Sequence, residues 1–139
     1  MSSEPISTPH AAGAVGAYSQ GWRAGDFIFV TGTTPIGPSG EIETADVGAQ
    51  TRAAIANVEA VLHAADADLS AIVKVMAYLS DSSDFEQFNR AYAECIPEPR
   101  PVRTTIGVDM GQILGMKVEL DVIAYVEPKA PLTDPSAKP

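Results

Sequence analysis

The segment VELDVIAYV, residues 118–126, decides the fold class, because its apolar residues alternate with a period of two. This alternation predicts a β-strand with one face that is apolar along its whole length. The opposite face begins with two carboxylates, Glu119 and Asp121, and becomes apolar at Ile123 and Tyr125. A strand of this kind belongs inside a sheet that is covered on both sides.

Three segments upstream of it have the apolar and β-branched composition of further strands. They are residues 27–30, 72–79 and 102–108. The first of them is followed at residues 33–40 by two prolines and two glycines, which predict a loop.

Two helices are predicted between these strands. Apolar residues recur at helical spacing from residue 45 to residue 65, with Thr44 as the predicted N-cap. The sequence Ser83-Asp84-Phe85-Glu86 has the form of a capping box and predicts the start of the second helix. The apolar stripe of that helix consists of Phe85, Phe88, Tyr92 and Cys95.

The order of these elements predicts one α+β domain over residues 13–126, a mixed sheet with two helices packed on one face. The polar, proline-containing segments 1–12 and 127–139 are predicted to be flexible tails. Segment 72–79 is apolar on both faces, with Ile72, Met76 and Tyr78 predicted to lie opposite Val73, Val75, Ala77 and Leu79. Two helices cover only one face, so a second copy of the chain is expected on the other, in an obligate homo-oligomer.

Composition excludes several classes of function. Nine basic residues against 18 acidic ones give a net charge of −9, and no basic cluster is available for binding nucleic acid. No run of about 18 apolar residues predicts a membrane span. With no signal sequence and the single Cys95, the chain is expected to be cytoplasmic.

Metal and covalent catalysis also lack candidates in the sequence. His10 and His63 are far apart, and no spacing of cysteine, histidine and carboxylate residues predicts a zinc site. Cys95 lies on the apolar stripe of the second helix, which favours a packing role. No phosphate-binding or dinucleotide-binding loop and no nucleophile elbow is present.

Three residues remain as candidates for chemistry. Arg103 shares a strand face with Thr105, and if that face is covered its guanidinium fits a carboxylate ligand, although spacing alone favours an arginine in a surface ion pair, because most arginines are exposed. Glu119 shares its strand face with Asp121 and can orient a water molecule, or the pair is simply the polar side of a strand. Tyr18, within the small-residue stretch 13–21, can line a pocket or pack as a half-buried aromatic side chain.

Six segments in order resemble one known family over residues 13–126, the RidA (YjgF) family of reactive-intermediate enamine/imine deaminases. They are Val15-Gly16-Ala17-Tyr18-Ser19-Gln20, Phe29-Val30-Thr31-Gly32-Thr33-Thr34-Pro35-Ile36, Gln50-Thr51, Asp84-Phe85 with Asn89 and Tyr92, Pro101-Val102-Arg103-Thr104, and Val118-Glu119-Leu120-Asp121-Val122-Ile123-Ala124.

The resemblance implies a chorismate-mutase-like fold and a homotrimer that turns its other sheet face toward the trimer interior, with active sites between subunits. It implies hydrolysis of 2-aminoacrylate-type enamines or imines to a 2-keto acid and ammonia, without a cofactor. Arg103 matches the residue that binds the substrate carboxylate, and Glu119 matches the one that positions water. Tyr18 matches the tyrosine that closes the pocket from a neighbouring subunit. The resemblance further implies substrate-binding roles for Thr31, Gly32 and Asn89, and for Thr105 at a position where the family has a cysteine.

The departures from the family pattern concern specificity. Thr105 replaces a cysteine, Thr33 a glutamine and Ala17 a proline, and the loop before Arg103 is shorter than usual. The short loop resembles a branch that acts on 3-aminoacrylate-like compounds in pyrimidine catabolism. A non-catalytic trimer that binds 2-keto acids is a second possibility. Ribonuclease activity, credited to some relatives, is disfavoured by the net charge of −9.

Overall fold

The computed structural model of the protein describes residues 3–111 and 113–128. Its elements, in chain order, are β1 (Ser3–Ile6), β2 (Gly21–Ala24), β3 (Phe27–Thr33), α1 (Val47–Ala64), β4 (Ile72–Leu79), α2 (Phe85–Cys95), β5 (Val102–Gly107) and β6 (Val118–Tyr125). The strands form one sheet in the order β1-β2-β3-β6-β4-β5, with β4 and β5 parallel and the other neighbours antiparallel. The predicted α+β class, with a mixed sheet and two helices, is confirmed.

The core lies between the helices and one face of the three central strands β3, β6 and β4. Alternate residues of these strands are buried on that face: Ile28, Val30, Val75, Ala77, Leu79, Val118, Leu120, Val122 and Ala124. Helix α1 packs on β3 and β6 and against α2. The two-residue alternation of segment 118–126 therefore predicted correctly which side chains of β6 enter the core.

Both helices begin later than the sequence predicted. The N-cap of α1 is Asp46, not Thr44, because the Asp46 carboxylate accepts a hydrogen bond from the Ala49 amide at 2.9 Å. Asp46 directly precedes Val47, the first buried residue of the apolar repeat, so the cap and the repeat coincide there.

The predicted capping box at residues 83–86 does not form. The Ser83 hydroxyl instead donates a hydrogen bond to the Asp81 carboxylate at 2.7 Å, and the same carboxylate accepts one from the Ser83 amide at 2.9 Å. These bonds cap a short 3₁₀ turn, Ser82–Asp84, and α2 starts directly after it without a side-chain cap.

The N-terminal segment is not the flexible tail that its composition predicted. Ser3–Ile6 pairs with Gly21–Ala24 as an edge strand, and Ile6 is buried. An edge strand needs only backbone hydrogen bonds and one anchoring side chain, so polar composition did not reveal it. The Gln20 side chain secures the segment further by bonding to the backbone of Thr8 on both its amide and its carbonyl. Of the predicted C-terminal tail, residues 129–139 lie outside the described residues.

The predicted faces of β4 are wrong at its first two residues. The register with β6 shifts between Ile72 and Lys74, so Ile72 turns into the core and Val73 is exposed. From Lys74 onward the alternation holds. Met76 and Tyr78 lie on the face away from the helices.

The sheet face opposite the helices, here called the open face, is strongly aromatic. Trp22, Phe27, Phe29 and Tyr125 share it by their strand register, and each is between 36% and 44% exposed. This agrees with the apolar second face that the sequence predicted. Neither helix of the described ranges is long and apolar enough to cross a membrane.

Candidate active site

Arg103 lies on the helix-covered face of the sheet, at the edge strand β5. It is level with the buried Val75 of β4, and its side chain reaches over the aromatic stripe of α2. The Cζ atom lies 4.6 Å from the ring centroid of Tyr92, 5.4 Å from that of Phe88 and 5.6 Å from that of Phe85. The rings hold the guanidinium by cation–π attraction and leave its N–H groups for another partner.

No carboxylate of residues 3–111 and 113–128 forms an ion pair with Arg103. The ion pairs of other arginines are exposed, Arg52 with Glu94 and Arg100 with Glu98. Arg103 is only half-buried, so an external anion can reach it. A planar guanidinium that is already oriented by aromatic rings suits bidentate binding of a carboxylate.

Two further predicted residues lie close to Arg103 in the fold. Thr105 is two residues along the same strand face, and its hydroxyl is buried without a hydrogen-bond partner among the described residues. Asn89 is exposed on α2, four residues after Phe85, so it lies on the helix face that carries the rings. We call Arg103, Asn89 and Thr105, together with the rings beneath Arg103, the Arg103 group.

Glu119 lies on the open face, directly opposite Tyr78 of β4. Burial raises the pKa of the Glu119 carboxyl, and the negative charge of Asp121 raises it further. Gly32 of β3 lies so close that a Cβ atom in its place would be 2.9 Å from Glu119 Oε2. The position therefore requires a glycine if Glu119 is to keep its place.

A cavity of about 350 Å³ opens beside Gly32, and Glu119 is not among the described residues that line it. Three predicted residues line it, Tyr18, Thr31 and Gly32, and Asn57 and Val61 of α1 form another wall. None of the described residues around it is charged. The Asn57 amide donates hydrogen bonds to the carbonyls of Thr34 and Ile36, which fixes the adjoining loop. We call Glu119, Gly32, Thr31 and Tyr18 the Glu119 group.

The two groups are separate within one chain. Strand β4 lies between Arg103 and Glu119, which places them about 10 Å apart across the sheet. Along β4, Arg103 is level with Val75 and Glu119 with Tyr78. Their side chains also lie on opposite faces of the sheet, so a single small molecule cannot contact both in one copy.

The described residues contain no group of three or more His, Cys, Asp or Glu side chains that could hold a metal ion. Burial raises the pKa of the half-buried Cys95 thiol. Among the described residues predicted as site residues, the two charged side chains are the Arg103 guanidinium and the Glu119 carboxylate. A domain that presents a free cation, an uncharged cavity and a carboxylate of raised pKa has the features of a protein that binds small organic acids.

Comparison with known proteins assigns this domain to a family. A family model described as Endoribonuclease L-PSP matches residues 8–126. A RutC family protein of Pyrococcus horikoshii is 39% identical over 126 residues, which cover 89% of this chain and 98% of that protein. Reactive Intermediate Deaminase A, chloroplastic, of Arabidopsis thaliana is 35% identical over 122 residues, which cover 87% of this chain and 65% of that protein.

Solved structures agree. The crystal structure of yeast Mmf1 has a TM-score of 0.84 at 30% identity and covers 91% of this chain and 100% of that one. E. coli TdcF with bound serine has a TM-score of 0.81 at 32% identity and covers 89% of this chain and 99% of that one. The chain belongs to the L-PSP family, which includes the RidA (YjgF) proteins, as the sequence resemblance predicted.

Proposed function

We propose that this protein is a hydrolytic deaminase of small enamines and imines that carry a carboxylate, of the 2-aminoacrylate type. Water adds to the C=N carbon, the C–N bond then breaks, and a 2-keto acid and ammonia are released. The imines of propanoate and butanoate, 2-iminopropanoate and 2-iminobutanoate, are the proposed substrates. The observation that carries the proposal is the Arg103 guanidinium, which lies over three rings without an acidic partner in the described residues.

Arg103 supplies binding and orientation. A carboxylate held by two parallel hydrogen bonds fixes the position of the neighbouring C=N carbon. An imine is already electrophilic and hydrolyses unaided, so orientation alone lowers much of the remaining barrier. The uncharged cavity beside Gly32 is suited to the apolar remainder of the substrate.

Glu119 supplies the base. Its raised pKa brings the carboxyl closer to the pH at which a general base is most effective. We propose that Glu119 holds a water molecule on one face of the imine and accepts a proton as the C–O bond forms.

The separation of the two groups requires a site between copies of the chain. We propose a homotrimer in which the Arg103 group of one copy faces the Glu119 group of the next, with Tyr18 closing the pocket from the side of Glu119. The exposed aromatic residues of the open face support it, because a face of this kind is covered in a stable assembly. A cytoplasmic location, which the single Cys95 fits, belongs to the same proposal.

Two alternatives retain the same site. The first alternative is a deaminase of 3-aminoacrylate-type substrates. The similarity to a RutC family protein and the shortened loop before Arg103 support it. TdcF is described with bound serine, an amino acid carboxylate, which favours a non-catalytic binding protein as the other candidate. The family description also names an endoribonuclease, but 18 acidic against nine basic residues oppose RNA binding.

The direct test is Arg103→Ala, with imine generated by a serine or threonine dehydratase and its loss followed over time. We expect kcat/KM to fall by about 100-fold or more, because the substrate carboxylate loses a charge-assisted bidentate partner. Arg100→Ala is the matched control, since Arg100 is exposed and bonded to Glu98, and its rate should stay at the wild-type level.

Circular dichroism must show that the Arg103→Ala protein is folded. An Arg103→Ala protein that clears the imine at the wild-type rate refutes the proposed role. The same assay with 3-aminoacrylate shows which of the two substrate types the protein prefers. The preferred substrate should have the larger kcat/KM with the wild-type protein.

A further inference from the structure

Tyr78 and Asp121 form a hydrogen-bonded pair on the open face, beside Glu119. In the register of β4 with β6, Tyr78 is directly opposite Glu119, and Met76 is opposite Asp121. The Tyr78 side chain extends diagonally toward β6, and its hydroxyl donates a hydrogen bond to Asp121 Oδ2 at 2.7 Å. Tyr78 of β4 therefore contacts the Asp121 carboxylate while its own backbone position lies opposite Glu119.

The donor of this hydrogen bond, the Tyr78 hydroxyl, keeps its proton across the physiological pH range. The hydrogen bond to Asp121, together with burial, raises the pKa of Tyr78 to about 12. The phenol therefore stays protonated and donates wherever Asp121 is ionised. A half-buried carboxylate that accepts such a bond has its position fixed relative to the strand.

Asp121 is the charged group that acts on Glu119. The two side chains lie two residues apart on the same strand face, a separation of about 7 Å along the backbone. The negative charge of Asp121 adds to burial in raising the pKa of Glu119. The like charge of Asp121 therefore disfavours the ionised form of the Glu119 carboxyl.

Other charged groups near this face are few. Lys117 directly precedes β6, two residues before Glu119, and on β4 Lys74 is level with Ile123. Lys117 acts on Asp81, whose pKa is lowered mainly by hydrogen bonds from Ser83 and to a smaller extent by this lysine. The segment of β3 that faces Glu119 consists of Thr31, Gly32 and Thr33, which carry no charge.

We propose that Asp121, held in place by the Tyr78 hydroxyl, is a positioning residue for Glu119, with Asp121 as the fixed charge and Glu119 as the group that exchanges a proton with water. The proposal rests on the proposed deamination for its catalytic meaning. Its structural basis, a diagonal Tyr–Asp bond beside the base, is independent of the substrate.

The experiment measures the pH dependence of kcat in the wild type and in Asp121→Asn. Activity is lost as the pH falls through the pKa of Glu119, because the protonated carboxyl cannot accept a proton. Removing the Asp121 charge lowers that pKa, so the acidic limb should move to lower pH. The plateau rate should fall by less than about tenfold, because Glu119 is then a weaker base.

Tyr78→Phe should move the acidic limb in the same direction by a smaller amount, because Asp121 remains but is free to turn into solvent. Tyr125→Phe is the matched control, an exposed tyrosine of the same face, and should leave the profile unchanged. Asp121→Glu keeps the charge and should keep the limb closer to the wild-type position than Asp121→Asn does.

Carbon-13 NMR titration of the Glu119 side-chain carboxyl in the same variants separates this inference from the proposed function. If the wild type does not hydrolyse imines, the deaminase proposal fails, yet the titration of Glu119 still moves to lower pH in Asp121→Asn. If Glu119 titrates identically in the wild type and in Asp121→Asn, Asp121 does not act on Glu119 and this inference is wrong, regardless of the substrate.

Discussion

The two faces of the sheet differ in their covering and in the charge that they present. The helix-covered face carries Arg103, a cation held over aromatic rings at the edge strand β5. The open face carries Glu119, a carboxylate that lies opposite Tyr78 of β4 and close to Gly32 of β3. In the proposed assembly, each chain contributes two half-sites that point away from each other, the Arg103 group and the Glu119 group.

The largest effect expected on the open face is that of Glu119→Gln. The amide can still bond to water but cannot accept its proton, so kcat should fall by about 10²- to 10⁴-fold. Binding should persist, because the carboxylate partner Arg103 belongs to the other half-site. Calorimetry with 2-ketobutanoate measures this binding, and imine loss measures the rate.

Glu98→Gln, which changes an exposed carboxylate beside Arg100, is the control for Glu119→Gln. If Glu119→Gln turns over imine as fast as this control, the open face holds no base and the binding-protein alternative gains support.

A smaller effect is expected from Gly32→Ala. The added methyl group would lie 2.9 Å from Glu119 Oε2, so the carboxylate must move away. We expect kcat to fall by about 10- to 100-fold, because a displaced base is poorly aligned with its water. Gly37→Ala is the matched control, since the nearest atom to its added methyl would be 3.7 Å away. Equal rates for the two variants would show that the position of Glu119 is unimportant.

The faces of the sheet were largely predictable from the sequence, whereas contacts between elements were not. Alternation alone placed Glu119 and Asp121 together on the face opposite the core of β6, and Arg103 with Thr105 on one face of β5. The stripe Phe85, Phe88 and Tyr92 was also predicted. Its position under Arg103 depends on β5 lying next to α2, which no local pattern indicates.

The Tyr78–Asp121 hydrogen bond is another contact between elements that the sequence did not predict. It depends on the register of β4 against β6, two strands far apart in the chain. The strands β1 and β2 were missed because Ser3–Ile6 and Gly21–Ala24 are short and have few apolar residues. Sequence periodicity determines which side of a strand faces the core, and long-range pairing determines which side chains meet.

The measurement that tests the account most directly is subunit complementation between Arg103→Ala and Glu119→Gln. Each variant alone lacks one half-site and should be inactive. Co-expressed in equal amounts, they should recover roughly a quarter of the wild-type activity, because one interface in four combines an intact Arg103 with an intact Glu119. Co-expression of either variant with the Arg103→Ala/Glu119→Gln double variant should recover nothing. A mixture no more active than the two separate variants would contradict a site shared between copies of the chain.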